Sequence, residues 1–236
     1  MQIALVTGAG SATGIGAEVC RQLAASDFHV VLTARSPADA AARSRELGMP
    51  GIALDVLSAQ SITDAVAFLH ERFGKLDVLV NNAAGSPAFT ERPSTAALTR
   101  AQAVMDVTLW GTWRVTQGMI PLLRKSTRGR VVNVSSGAGS HGDPTFGLHS
   151  ENSMGPAYAV AKCALNALTV AFANELRGDR ILVNAVCPGF TATFDGGEAL
   201  GARPVQDGAR SVVWAALLDD DGPTGGLFRD GQPLPW

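Results

Sequence analysis

Tyrosine is nearly absent from this sequence: Tyr158 is the only one in 236 residues. Cysteine is scarce too. Cys20, Cys163 and Cys187 sit inside apolar runs at no metal or redox spacing, and read as small core residues in a reducing compartment. Neither sign of charge dominates. Lys and Arg number 19, Asp and Glu 21, and no basic stripe stands out, which argues against nucleic acid as a partner. Charged residues make up 17% against 46% apolar, which argues against disorder and allows a sizeable core. No apolar stretch approaches the ~18–20 residues a membrane span needs. The opening MQIALVTG enters a strand with no basic leader. The expectation is a soluble cytoplasmic protein with no membrane partner. The sequence also lacks internal repeats and low-complexity linkers.

What is there alternates strand and helix from the first residues. Apolar runs at 3–7, 29–35, 51–55, 76–82, 129–136 and 181–189 read as buried parallel strands, with a final short strand around 225–230. Helical segments fall between them: 14–25, 37–47, one capped by Ser58 and ending near Phe73, a long one over 98–124, one carrying Tyr158, and one over 205–218. This alternation predicts a single-domain α/β protein over residues 1–236, a Rossmann-type doubly wound parallel sheet of about seven strands with helices on both faces. Ligands in such folds bind beyond the carboxyl ends of the strands. The polar and glycine-rich residues cluster at those ends: Thr7-Gly8, Arg35, Asp55, Asn81-Asn82, Ser135-Ser136 and Pro188-Gly189.

After the first strand comes TGAGSATGIG, residues 7–16. Glycines between strand and helix let the backbone approach a pyrophosphate, with the helix N-terminus facing the anion. A tight turn would use the same glycines, and Thr13 stands where G-x-G-x-x-G has its third glycine. Folds that prefer NAD place an acid near the end of the second strand; an arginine suits a 2′-phosphate. Here that strand ends in Ala34-Arg35 with no acid, so NADP(H) is the favoured cofactor and NAD(H) the alternative.

The helix around Tyr158 poses its own problem. From Ala157 to Asn174 its one charge is Lys162, four positions after Tyr158 and on the same face. A lysine on an apolar helix is costly unless its charge is exposed or used.

Taken in order, TG…GIG, NNA after the fourth strand, VVNVSS on the fifth, Y-x-x-x-K on the next helix and VNAVCPG on the sixth resemble the short-chain dehydrogenase/reductase family across essentially the whole chain. LTAR, LDVLVNNA, RVVNVSS, the short CPGFTATF segment and the terminal tryptophan look like its carbonyl reductase branch, which uses NADPH. The resemblance implies that Tyr158 protonates a carbonyl oxygen, that Ser136 hydrogen-bonds it, and that Lys162 binds the nicotinamide ribose and lowers the tyrosine pKa. It places Gly8, Ser11, Thr13, Gly14, Ile15, Gly16 and Arg35 on the cofactor. Asp55 and Val56 flank the adenine. Asn81, Asn82, Ala83 and Ala84 hold the adenosine side, and Pro188, Gly189, Thr191 and Thr193 the nicotinamide. Physically, a nearby ammonium favours phenolate, and a serine and a tyrosine aimed at a developing oxyanion stabilise it.

The chain departs from the family pattern in places. Five residues separate Gly8 from Gly14, more than is usual, and the basic residue often found there is missing. Thr108 stands where the family has an asparagine that supports a water relay to the lysine. Ala84 replaces a motif glycine. An insert over 137–157 precedes the tyrosine; in the carbonyl reductase branch such an insert covers helices used elsewhere for oligomerisation, which implies a monomer or homodimer. Residues 190–205 form a short substrate lid whose glycines allow movement. Trp110, Phe146, Leu148 and Phe190 are candidate walls of the substrate pocket. His141, Asp143, His149 and Glu151 fit no metal-ligand spacing, so no metal is expected. The chemistry expected is reduction of a ketone or aldehyde. Alcohol oxidation on the same site, or a cofactor-binding sensor or scaffold without turnover, remain alternatives.

Overall fold

The computed structural model describes residues 1–86, 88, 90–150 and 155–236. Glu151, weighed above as a metal ligand, lies outside the described residues, as does part of the 137–157 insert.

Strands and helices follow the predicted alternation. The first half runs β1 (Gln2–Val6), α1 (Ile15–Ala25), β2 (Phe28–Ala34), α2 (Pro37–Leu47), β3 (Gly51–Ala53), α3 (Ala59–Phe73) and β4 (Val78–Asn81). The second half runs α4 (Leu98–Met105), α5 (Thr112–Leu123), β5 (Arg130–Val134), α6 (Pro156–Glu175), β6 (Leu182–Val186), α7 (Val205–Ala216), β7 (Leu227–Arg229) and β8 (Gln232–Pro233). Helix ends carry the expected chemistry. The Ser58 side chain accepts from the Ser61 amide at the start of α3, and Gly74 closes that helix at φ 71°. Ser36 caps α2 in the same way, with Pro37 in its first turn.

The sheet order is β3-β2-β1-β4-β5-β6-β7-β8. β1 to β7 run parallel, and β8 returns antiparallel on β7, one strand beyond the expected seven. The order reverses between β1 and β4, so the chain parts there and leaves a crevice at the strands' carboxyl ends. Each sheet face buries its own core. Leu69, Leu79, Met119, Leu123 and Phe172 fill one, under α3, α5 and α6. Val19, Leu23, Val80, Val132 and Val212 fill the other, under α1 and α7. β5 and β6 are buried along their whole length, as covering on both faces requires.

Two expectations need correction. The single helix predicted over 98–124 is broken by a π-helical turn at Asp106–Gly111 between α4 and α5. Tertiary contacts impose it. The Thr108 hydroxyl accepts from the Gly85 amide, and a Cβ on Gly111 would lie 2.6 Å from Val56 Cγ2. Such wide turns recur at functional sites. The second correction concerns length. α6 with its short continuation, Pro156–Asp179, is long and apolar enough by composition to cross a membrane. It packs instead against β6, α4 and the π turn, with Lys162, Asn166 and Thr169 turned into the protein.

Candidate active site

The crevice between β1 and β4 is built by Thr7. Its hydroxyl accepts from the amides of Asn82 and Ala83, each at 3.0 Å. The Asn82 side chain donates back to the carbonyls of Thr7 at 2.9 Å and Gly8 at 3.0 Å. The glycine loop is thereby locked to the end of β4. Gly8 turns at φ 68°, and a Cβ on it would lie 2.8 Å from Ala83 Cα. Gly16 sits where a Cβ would lie 2.5 Å from Asn82 Nδ2. Only glycine permits these approaches.

A cleft of about 940 Å³ opens over this lock. Gly8, Ser11, Arg35, Asp55, Val56, Asn82, Ala83 and Ala84 line it. Arg35 is exposed, and among the described residues nothing pairs with its guanidinium. Asp55 is held by the Leu57 amide at 2.9 Å. Four predicted residues stand elsewhere. Asn81 is buried and donates to Thr116 Oγ1 and Asn133 Oδ1, so it ties the sheet to α5 and does not face the cleft. Thr13, Gly14 and Gly16 do not line it either: Gly14 caps α1, Gly16 is buried behind the loop, and Thr13 is exposed beside them.

A second pocket, of about 400 Å³, shares Ser86 with the first. Ser135, Ser136, Tyr158, Cys187, Pro188, Gly189, Thr191 and Thr193 line it, with Ile15 on the near side. Phe146, Phe190 and Phe194 form its apolar wall, with ring centroids 6.0 and 6.4 Å apart in succession. Trp110 and Leu148 do not reach it. Trp110 is an exposed residue stacked on Trp113 at 5.6 Å, and Leu148 is half-buried in the insert. Residues 190–205 flank the pocket as a loop closed at its base, where Arg203 and Phe190 share a 2.8 Å backbone bond.

The two adjacent serines divide their work. The Ser135 hydroxyl donates to buried Asn166 at 2.5 Å, and Asn166 in turn holds the Gly139 carbonyl. Ser136 is half-buried and bonded to the phenol side of Tyr158. Lys162 is buried, and its Nζ donates to the Val134 carbonyl at 2.6 Å, 5.4 Å from the Tyr158 ring centre. Burial pushes Lys162 down to about 8, with the Cys187 sulfur opposing. Burial pushes Tyr158 up to about 12, the Cys187 sulfur adds to the rise, and the Ser136 hydrogen bond opposes it. Desolvation outweighs the Ser136 hydrogen bond, the one contribution that favours phenolate, so the phenol stands above its ordinary value and not below it.

Sequence reasoning missed three residues here. Cys187 was read as packing. Its sulfur accepts from the Gly137 amide at 3.1 Å and from Arg229 Nη2 at 3.2 Å, and it lines the pocket. Arg229 also pairs with Asp143 of the insert, which was weighed only as a metal ligand. Burial opposes ionisation of Asp143, but the Phe146 and Thr145 amides and the Arg229 guanidinium outweigh it and hold the carboxyl below its usual range. Among the described residues no group of His, Cys, Asp and Glu could hold a metal, and His141 and His149 simply face each other at 5.6 Å.

A family model described as short chain dehydrogenase matches residues 2–199. The chain belongs to the short chain dehydrogenase family. Carbonyl reductase (NADPH) 1 of Sus scrofa is 33% identical over 280 aligned positions, which take in all of this chain and 94% of the pig protein. The short-chain dehydrogenase anuI of Penicillium roqueforti (strain FM164) is 34% identical, over 91% of this chain and 88% of its own. Among solved structures, salutaridine reductase from Papaver somniferum superposes with a TM-score of 0.81 at 28% identity, covering 98% of this chain and 100% of that one. An NADPH-bound carbonyl reductase from chicken fatty liver gives a TM-score of 0.84 over the whole of both chains at 24% identity, a likeness of fold.

A dinucleotide fits this short chain dehydrogenase. The two spaces, with Ser86 in both linings, run from the Arg35 guanidinium, past Gly8, Gly10 and Ser11 of the glycine loop, to the hydroxyls of Ser136 and Tyr158. Cation, amides and hydroxyls are the donor set that phosphate, pyrophosphate and carbonyl oxygen require, in that order along the cleft.

Proposed function

We propose that this protein is an NADPH-dependent carbonyl reductase that converts an uncharged ketone or aldehyde to the alcohol. The observation that carries the reading is the placement of Ser136 and Tyr158 in an apolar pocket that shares Ser86 with the Arg35 cleft. Its full-length relative from pig bears the name of an NADPH carbonyl reductase. Arg35 takes the 2′-phosphate, the glycine loop the pyrophosphate, Asp55 and Val56 the adenine side, and Pro188, Gly189, Thr191 and Thr193 the nicotinamide. The bound nicotinamide supplies hydride to the carbonyl carbon. Tyr158 gives its proton to the carbonyl oxygen, and the Ser136 hydroxyl holds that oxygen in line. Tyr158, pushed by burial up to about 12, is protonated at neutral pH, as the acid's role requires. Lys162 orients the ribose from below, with its charge anchored on Val134 O.

No charged side chain lines the substrate pocket among the described residues, and three phenylalanines do. Burying a carboxylate there without a partner is costly. The site therefore favours aromatic or bulky apolar carbonyls over keto acids. We place the whole chain in one catalytic unit, with 137–157 as the insert that brings Phe146 to the pocket and 190–205 as a short lid. Cytoplasmic location and a monomeric or homodimeric state belong to the same proposal.

The test follows NADPH absorbance with a panel of aromatic ketones, quinones, aldehydes and keto acids, with Tyr158→Phe alongside. Turnover of the uncharged carbonyls that drops about 10²–10⁴-fold in the variant supports the reading. Bound NADPH with no turnover in the parent favours a sensor without catalysis.

A further inference from the structure

At the end of β2 the sequence offers no acid, and Arg35 stands there alone. The fold puts one back. Asp39, in the first turn of α2, lines the same cleft as Arg35, Gly10, Ser11 and Ala34. A Cβ built on Gly10 would lie 3.7 Å from the Asp39 Cβ and 3.1 Å from that of Ala34, so Asp39 stands directly across the glycine loop. Its orientation is fixed. Ser36 Oγ donates to Asp39 Oδ2 at 2.7 Å and accepts from the Asp39 amide at 3.1 Å, a reciprocal cap at the helix start. One carboxylate oxygen is thus engaged, and the charge stays at the cleft.

Besides Arg35 and Asp39, two charged residues line the cleft, and each is engaged by a neighbour. Arg100, also on the cleft, pairs with Glu91 at 3.7 Å. Asp55 is held to the Leu57 amide. A 2′-phosphate brought to Arg35 would carry close to two negative charges toward the Asp39 carboxylate.

We propose that Asp39 is a specificity-determining residue that restrains the preference for a 2′-phosphorylated cofactor and keeps the unphosphorylated one usable. This rests on the cofactor reading of the cleft given above. Arg35 attracts the phosphate, Asp39 repels it, and the balance between these two exposed charges sets the ratio of affinities. A change at one position should tip that ratio without touching the pyrophosphate, adenine or nicotinamide sites.

The experiment measures equilibrium binding of 2′,5′-ADP and 5′-ADP by calorimetry, on the parent, Asp39→Asn and Asp39→Ala. Neither ligand carries nicotinamide, so no turnover enters the measurement. Asn keeps the hydrogen bond to Ser36 and Ala removes it, so a shared effect reports charge and not the helix cap. Both variants should bind 2′,5′-ADP about fivefold tighter, the scale of one partly screened charge acting on a dianion, with 5′-ADP unchanged. The gain should shrink at 0.5 M salt. An affinity ratio unchanged in both variants, or altered only in Asp39→Ala, overturns the role of Asp39 and leaves the cofactor site standing. Failure of the parent to bind either nucleotide overturns the cofactor reading itself and this inference with it.

Discussion

Lys162 Nζ reaches the Val134 carbonyl at 2.6 Å, across the end of β5 and one residue before the Ser135-Ser136 pair. The only charge on the apolar face of α6 is thereby hidden from water, and its cost shows as a pKa lowered from 10.5 to about 8. A proton missing from the folded protein but present in the unfolded chain makes stability rise with pH between those two values. Below about 8 both states are protonated and the whole penalty, about 3 kcal/mol at most, is felt. Lys162→Met should therefore melt at or above the parent at pH 7, and the gap should shrink by pH 10. With Lys162 in its proposed role at the ribose, reductase activity should fall by at least about 10²-fold. Melting curves at the two pH values, with NADPH turnover, check both statements. A variant that melts well below the parent at pH 7 would show that the lysine stabilises the fold.

Tyr158 carries the opposite shift. A phenol near 12 is fully protonated from pH 6 to 9, so carbonyl reduction at saturating substrate should lose little rate from this group over that range. Alcohol oxidation needs the phenolate, and its rate should climb with pH across the same range, about tenfold per unit where proton removal limits it. Parallel pH–rate profiles in the two directions, on one substrate pair, test this. An oxidation rate that levels off near pH 7 would place the working pKa far below 12 and restore the sequence expectation of a strongly activated tyrosine.

Much of this was legible beforehand because it is local. The glycine loop, the Ser58 and Ser36 caps, the Tyr158–Lys162 spacing and the strand-helix alternation each depend on a few neighbouring residues. Parallel β strands between amphipathic helices then leave little choice of topology. What escaped depends on residues far apart. Asp39 reaches the cleft only because α2 starts beside the glycine loop. Cys187 and Arg229 meet 42 positions apart, and Arg229 meets Asp143 at a distance of 86. Asn81 came with the NNA stretch of the family resemblance, but only Asn82 lines the cleft, because consecutive residues at a strand end face opposite ways. The π turn at Thr108 has no local signature, since Gly85 and Val56 create it.

Thr108 is completely buried, and its hydroxyl holds the Gly85 amide at 3.0 Å. Gly85 belongs to the loop whose neighbours Ala83 and Ala84 line the cofactor cleft. Thr108→Val keeps the shape and leaves that amide unsatisfied, at a cost of about 1–3 kcal/mol. The variant should also bind NADPH more weakly, while Thr108→Ser should retain both properties. Denaturant titration and NADPH fluorescence separate the two effects. Equal stability of Val and Thr proteins would mean that the amide finds another partner.

The pair of Asp143 and Arg229 joins the insert to β7 immediately behind the pocket, with Asp143 buried and Arg229 also touching the Cys187 sulfur. Asp143 in addition accepts from the Thr145 and Phe146 amides, at 2.8 and 3.0 Å, which sets the position of the Phe146 ring on the pocket wall. Asp143→Asn keeps acceptor capacity for those amides and removes the charge. It should loosen residues 141–150 and raise KM for bulky apolar carbonyls several-fold, with kcat changed less, because Ser136, Tyr158 and Lys162 are anchored elsewhere. The stability lost follows from the lowered carboxyl pKa. An acid held below its unfolded value of 3.8 contributes fully above that pH, and the contribution disappears as pH falls through the folded value. The parent should thus exceed Asp143→Asn in melting temperature by a constant margin from about pH 5 to 8, and the margin should close as pH falls below 3.8 and through the lowered folded value. Hydrogen exchange over residues 141–150 at pH 7 supplies the local check: protection equal in the two proteins would mean that backbone packing alone holds the insert against the pocket.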